Sequence, residues 1–152
     1  MSYVFDTSPL SVLFKNYYRR TFRSLWERFD DLVAEGQIVS TREIGDLSDG
    51  PLRDWAVANP GIFATPVAAE GAFVAEIYRI RHFQQNIEQQ KILNGGKNAD
   101  PFVIAKARVE NRIVVTMEQL RPNAVKIPNI CEHFGIRWLS LEGFMEVEGW
   151  EF

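Results

Sequence analysis

The sequence predicts an α/β fold: a three-layer α/β/α sandwich around a central, mainly parallel sheet of four to five strands. Three observations predict it. Short runs rich in β-branched and aromatic residues, Tyr3-Val4-Phe5, Ile38-Val39-Ser40-Thr41 and Arg112-Ile113-Val114-Val115-Thr116, read as strands buried on both faces. Stretches with helical periodicity separate them, so strand and helix alternate along the chain. Each run is also followed closely by an acid: Asp6, Glu43 or Glu118. Ligands of open parallel sheets bind at that carboxyl edge.

Residues 3–5 form the first strand, and Asp6-Thr7-Ser8-Pro9 turns the chain into a short helix through Leu10, Val12, Leu13 and Phe14. Residues 19–35 predict an amphipathic helix, with Phe22, Leu25, Trp26, Phe29, Leu32 and Val33 on one stripe and Gly36 as its stop. The second strand spans 37–40. Thr41 can cap a helix containing Arg42, Glu43, Ile44 and Leu47. A short helix through Leu52, Trp55 and Val57 ends near Asn59-Pro60-Gly61, and 61–65 is a short strand or an extended connection. Phe73, Ile77, Ile80, Phe83 and Ile87 predict a long helix over 67–93, and 94–98 a loop. Asp100-Pro101 then opens a helix as N-cap and first-turn proline, and its near-continuous apolar content, Phe102 to Val109, makes it central. A strand over 112–116, a polar loop over 119–126, a helix near 128–134 ending at Gly135, a strand over 136–139 and a final helix complete the chain.

With 152 residues and 46% apolar content, the chain suits one domain, 1–152, with a single core. The net charge of −3 argues against a generic nucleic-acid coat protein but not against a nuclease, because acids can gather in one place and bases in another. Basic residues concentrate at Arg19, Arg20, Arg23 and Arg28, at Arg79, Arg81 and Lys91, and at Lys97, Lys106, Arg108 and Arg112; the plain reading of each group is a solvated helix face. Cys131, the single cysteine, permits neither an intrachain disulfide nor a cysteine zinc site, and its neighbours Ile130 and Phe134 suggest a buried thiol. The start lacks a signal-peptide pattern and no apolar run approaches a membrane span, so a cytoplasmic location is expected.

Asp6, Glu43, Asp100 and Glu118 carry the chemical argument. Each has a plain role: Asp6 and Asp100 as caps, Glu43 as a favourable charge near a helix start, Glu118 as an exposed loop acid. Four carboxylates meeting at one edge would repel, and a hard divalent cation such as Mg²⁺ or Mn²⁺ would neutralise them. Asp46 shares a helix face with Glu43, and Ser8, Thr116 and Lys126 are candidate helpers. His82 and His133 are expected to pack or face solvent.

Tyr3-Val4-Phe5-Asp6-Thr7-Ser8, Ser40-Thr41-Arg42-Glu43-Ile44, and Ala99-Asp100-Pro101-Phe102-Val103-Ile104-Ala105-Lys106-Ala107 before Ile113-Val114-Val115-Thr116-Met117-Glu118 resemble the PIN domain, the metal-dependent nuclease fold that includes VapC-type toxins. The ending, Lys126-Ile127-Pro128 through Cys131, Gly135 and Trp138, resembles a small PIN subfamily, so the resemblance spans nearly the whole chain. It implies an acidic quartet, Asp6, Glu43, Asp100 and Glu118, holding Mg²⁺ or Mn²⁺. Glu118 departs from the Asp common in relatives and reaches one methylene further. The implied activity is endoribonuclease cleavage through a metal-activated water, leaving 5′-phosphate and 3′-hydroxyl ends. Thr116 would help near the metal and Lys126 would contact the scissile phosphate. A toxin of this type implies a cognate antitoxin protein, and the faces of 19–35 and 67–93 offer homodimer or partner surfaces. The alternative is a catalytically silent PIN-fold interaction module. Receiver-like and haloacid-dehalogenase-like readings fail on spacing: Thr116 and Lys126 are too close for the first, and Ser8 stands where the second needs an acid.

Overall fold

The computed structural model describes residues 1–41, 50–85 and 99–152, without the side chains of Ala99 and Asp100. Four parallel strands, β1 (Tyr3–Phe5), β2 (Ile38–Ser40), β3 (Ile113–Val115) and β4 (Trp138–Leu139), form one sheet in the order β2-β1-β3-β4. Seven α-helices cover it among the described residues: α1 (Thr7–Asn16), α2 (Arg23–Ala34), α3 (Pro51–Ala58), α4 (Ala68–Tyr78), α5 (Ala99–Glu110), α6 (Ile127–Phe134) and α7 (Leu141–Val147). None of them is long and apolar enough to cross a membrane.

Period-2 alternation divides the core into two layers. Tyr3, Phe5, Ile38, Ile113 and Val115 face one side, where Leu10, Leu13, Leu25, Phe29, Leu52 and Phe144 meet them. Val4 and Val114 face the other, against Phe73, Ile77, Val103, Ile104 and Ile130. The central strands thus bury both faces, which is why their sequences are continuously apolar. Phe5 packs edge-on against Phe29 and Phe144, with ring centroids 6.2 and 5.0 Å away. Truncating such a residue to alanine costs about 3–5 kcal/mol.

The register aligns Phe5 with Ser40 and with Val115, so Asp6, Thr41 and Thr116 follow at the same level past the carboxyl ends. Helix directions follow from the connections. The Gln37 N–H donates to the Leu32 carbonyl and the Gln37 carbonyl accepts from the Tyr3 N–H, so α2 ends at the amino edge of the sheet. Phe29, nearer its middle, meets Phe5 at the carboxyl end of β1. The start of α2 therefore lies beyond the carboxyl edge. Likewise α5 ends just before β3, with the Arg112 N–H on the Ala107 carbonyl, so its first turn, containing Asp100, lies toward the carboxyl edge.

Several elements differ from the sequence expectation. The helix expected over 19–35 begins only at Arg23, because a turn at Tyr18 precedes it, with the Thr21 and Phe22 N–H groups on the Tyr18 carbonyl. The helix expected over 67–93 stops at Tyr78; Ile80 is extended, and a 3₁₀ turn, Arg81–Phe83, swings Phe83 onto His133 and Phe134. The Gln84 side chain donates to the Tyr78 carbonyl at 2.9 Å, satisfying one orphan acceptor of that helix end. The helical spacing of Ile77, Ile80 and Phe83 survives through a 3₁₀ turn, so periodicity alone does not reveal the break. Of the strand or extended connection expected over 61–65, the strand is absent: a 3₁₀ turn, Pro60–Ile62, leads into residues 64–67, which lie in no helix or strand. The helix opened by Asp100-Pro101 already includes Ala99, which puts Asp100 inside the first turn rather than at the N-cap. Within that helix Lys106 is buried rather than solvated, 2.8 Å from Glu110 and 3.9 Å from the buried Glu70. Arg108 lies over the Phe73 ring and Arg112 donates to the Gly36 carbonyl, so these two cations also serve the fold. The helix expected after Thr41, the 94–98 loop and the continuation from 86 to 93 lie outside the described residues.

Candidate active site

Asp6 is built into the carboxyl edge twice over. Its backbone N–H continues the ladder by donating to the Val115 carbonyl at 2.9 Å. Its side chain caps α1, with Oδ1 accepting from the Thr7 N–H at 2.8 Å. Thr116, fully buried, donates its hydroxyl to Asp6 Oδ2 at 3.3 Å and accepts the Glu118 N–H at 3.1 Å. One threonine thus links the two acids and fixes the turn that carries Glu118.

Glu118 meets the start of α6. Its Oε2 accepts from the Ile127 N–H at 3.4 Å, a long bond, and its Oε1 lies 3.9 Å from Lys126 Nζ. Pro128 in the first turn of α6 lacks an N–H, and Lys126 occupies the N-cap position.

The electrostatics of both acids run the same way. Burial pushes Asp6 above its ordinary value, against the opposing bonds from Thr7 and Thr116. Burial also raises Glu118, the negative charge of Asp6 raises it further, and Lys126 and the Ile127 N–H pull it down. Two mutually repelling carboxylates, one only 6% exposed, form a donor set that a divalent cation would relieve. With two carboxylates and a hydroxyl, the oxygen donors suit a hard cation, though only as part of a shell. Among the described residues no group of three or more His, Cys, Asp or Glu side chains is gathered for a metal. Glu43, Asp46 and the Asp100 side chain, which the sequence assigns to the same edge, lie outside the described residues.

A family model described as a domain of unknown function, DUF4411, matches residues 3–152. The chain belongs to the DUF4411 family. No curated protein matches it. The family match takes in β1 to α7 and both acids.

Among the predicted helpers, contacts join Thr116 and Lys126 to the acids, whereas Ser8 is exposed in the first turn of α1. His133 packs against Phe83 and Phe134, and the Cys131 thiol is fully buried, with its pKa pushed up to about 12 by that burial and by Glu132 and Glu118. The contribution missed from sequence is the Ile127 N–H as a donor to Glu118. The pair Ile127-Pro128 carried its signal, as proline favours a first helical turn. A cavity of about 420 Å³ lies between the start of β3, β4 and α7, lined by Met1, Ile113, Arg137 and Trp138 among others, and includes neither acid.

Proposed function

We propose that this chain is a metal-dependent endoribonuclease of the PIN type that hydrolyses RNA phosphodiester bonds and acts as the toxin of a type II toxin–antitoxin pair. The observation that carries the reading is the Asp6–Thr116–Glu118 linkage at the carboxyl edge, where two raised carboxylates converge. The PIN resemblance supplies the rest: Glu43 and Asp100 complete the quartet, and a cognate antitoxin protein restrains the enzyme.

A bound Mg²⁺ or Mn²⁺ supplies Lewis-acid activation of the attacking water and offsets charge at the scissile phosphate. Asp6 holds its carboxylate fixed through the Thr7 and Thr116 bonds, so binding needs little reorganisation. Thr116 holds the backbone of Glu118 in the turn beside Asp6 through the Glu118 N–H. Lys126, 41% exposed beside Glu118, has the reach and the charge to contact a substrate phosphate.

The test is cleavage of labelled structured and single-stranded RNAs by wild type and Asp100→Asn, with Mn²⁺, Mg²⁺ or a chelator. Metal-dependent cutting by wild type alone supports the proposal. Equal cutting by both proteins assigns the activity elsewhere. No cutting by folded wild type under any condition favours a catalytically silent interaction module.

A further inference from the structure

We infer that the connection between α1 and α2 together with the first residue of α2, residues 17–23, is a stacking and charge platform that holds single-stranded RNA alongside the acidic edge. The inference rests on the nuclease reading and names the substrate class for that site.

Residues 15–23 read Lys-Asn-Tyr-Tyr-Arg-Arg-Thr-Phe-Arg: four cations, three aromatics and no acid, in a chain whose net charge is −3. Such interleaving supplies both parts of single-strand recognition, a cationic track for the backbone and ring faces for the bases. The segment is not buried to make a core. Tyr18 is 64% and Phe22 37% exposed, and Lys15, Arg20 and Arg23 are exposed too.

The segment is also held in place. The Trp26 indole N–H donates to the Tyr17 carbonyl at 2.7 Å. Arg19 lies 4.2 Å over the Trp26 ring and donates to both carboxylate oxygens of Asp30, at 2.9 and 3.4 Å. Tyr17 and Phe22 pack edge to face at 5.3 Å. Arg19 and Tyr17 are thus occupied in fixing the turn. The side chains of Tyr18, Arg20 and Arg23 show no partner among the described residues and remain available to a ligand. A platform already rigid loses little conformational entropy on binding.

Phe29 meets Phe5 at the carboxyl end of β1, and Arg23 lies six residues, about 9 Å of helix, beyond it. Residues 17–23 therefore overhang the edge that carries Asp6. The ten residues of α1, about 15 Å of helix, separate Asp6 from Tyr17. A few nucleotides of extended RNA cover that distance. Unstacked bases can lie on Tyr18 and Phe22 while Arg20 and Arg23 hold phosphates; bases within a duplex have no free faces to offer.

The test is fluorescence anisotropy of a labelled single-stranded RNA oligonucleotide, and of the same sequence as duplex, with chelator present so that no metal-dependent cleavage occurs. Tyr18→Ala is expected to weaken single-strand binding about tenfold or more. Arg20→Gln with Arg23→Gln is expected to lower the salt slope of log affinity by about 1.4. Arg79→Gln with Arg137→Gln, exposed cations outside the segment, should leave both quantities near wild type. Circular dichroism melts establish that each variant is folded. Unchanged affinity in the Tyr18 and Arg20/Arg23 variants, equal loss in the Arg79/Arg137 control, or tighter binding of duplex would overturn the platform. Parallel cleavage assays with Mn²⁺ separate the two ideas. Wild-type cutting with unaffected binding in the platform variants sinks the platform and spares the nuclease; selective loss of binding without any wild-type cutting does the reverse.

Discussion

In the metal-free protein, Asp6→Asn is expected to raise stability. At neutral pH the Asp6 carboxylate is only 6% exposed and accepts bonds at 2.8 and 3.3 Å from Thr7 and Thr116. Removing a carboxylate from water costs several kcal/mol, whereas each hydrogen bond to a charged group returns about 1.5–3 kcal/mol. With one of the two bonds long, a net penalty of about 1–2 kcal/mol remains. Asparagine caps a helix as well as aspartate does, so the substitution removes the charge and keeps the α1 cap. The melting temperature should rise by roughly 2–8 °C for a chain of this size.

The sign with pH follows from the raised folded-state pKa. Below the ordinary value of 3.8 both states are protonated and the two proteins should differ little; as pH rises through the raised folded value the wild type loses stability and the gap opens. Mn²⁺ at a hundredfold its dissociation constant should then add about 2.7 kcal/mol to wild type and little to the variant, reversing their order. Thermal melts from about pH 3 to 8, with chelator or Mn²⁺, read all three effects. A variant less stable than wild type in chelator at every pH, or equally stabilised by Mn²⁺, would refute the reasoning and leave Asp6 as a cap alone.

Other expectations concern the frame and the edge. Lys106→Met leaves the buried Glu70 without its cation, whereas Glu110 keeps Arg112 at 2.8 Å; loss of about 3–5 kcal/mol is expected in urea unfolding, with partial recovery on adding Glu70→Gln. Gly135 ends α6 at φ 68° with open space around it, so Gly135→Ala should cost about 1–2 kcal/mol through backbone conformation rather than a clash, seen as a lower melting temperature. Lys126→Ala removes a cation that lowers the Glu118 pKa, so carbon-detected NMR titration should show that glutamate moving further upward, and RNA cleavage should fall.

The sheet was legible because its strands are short β-branched or aromatic runs, and the ends of α2 and α6 because Gly36 and Gly135 adopt positive φ. The end of α4 was not, since neither proline nor glycine stands between Tyr78 and Phe83; the packing of Phe83 on His133 and Phe134 accompanies that break. Nor was the burial of Lys106, whose partner Glu70 comes from another helix. At the site, the convergence of Asp6 and Thr116 follows from a register that aligns Phe5 with Val115, and strand patterns alone do not specify register between distant segments. Thr116 stood out as a helper near Glu118, but its simultaneous bonds to Asp6 and to the Glu118 N–H depend on a turn that sequence does not define.

If the acids of the carboxyl edge form one divalent-cation centre, Mn²⁺ must bind there. Electron paramagnetic resonance titration of Mn²⁺ into wild type, Asp6→Asn and Asp100→Asn measures that binding. Saturable binding by wild type, lost or greatly weakened in both folded variants, is the predicted result. Mn²⁺ affinity unchanged by either substitution, or no binding to wild type at all, would contradict it.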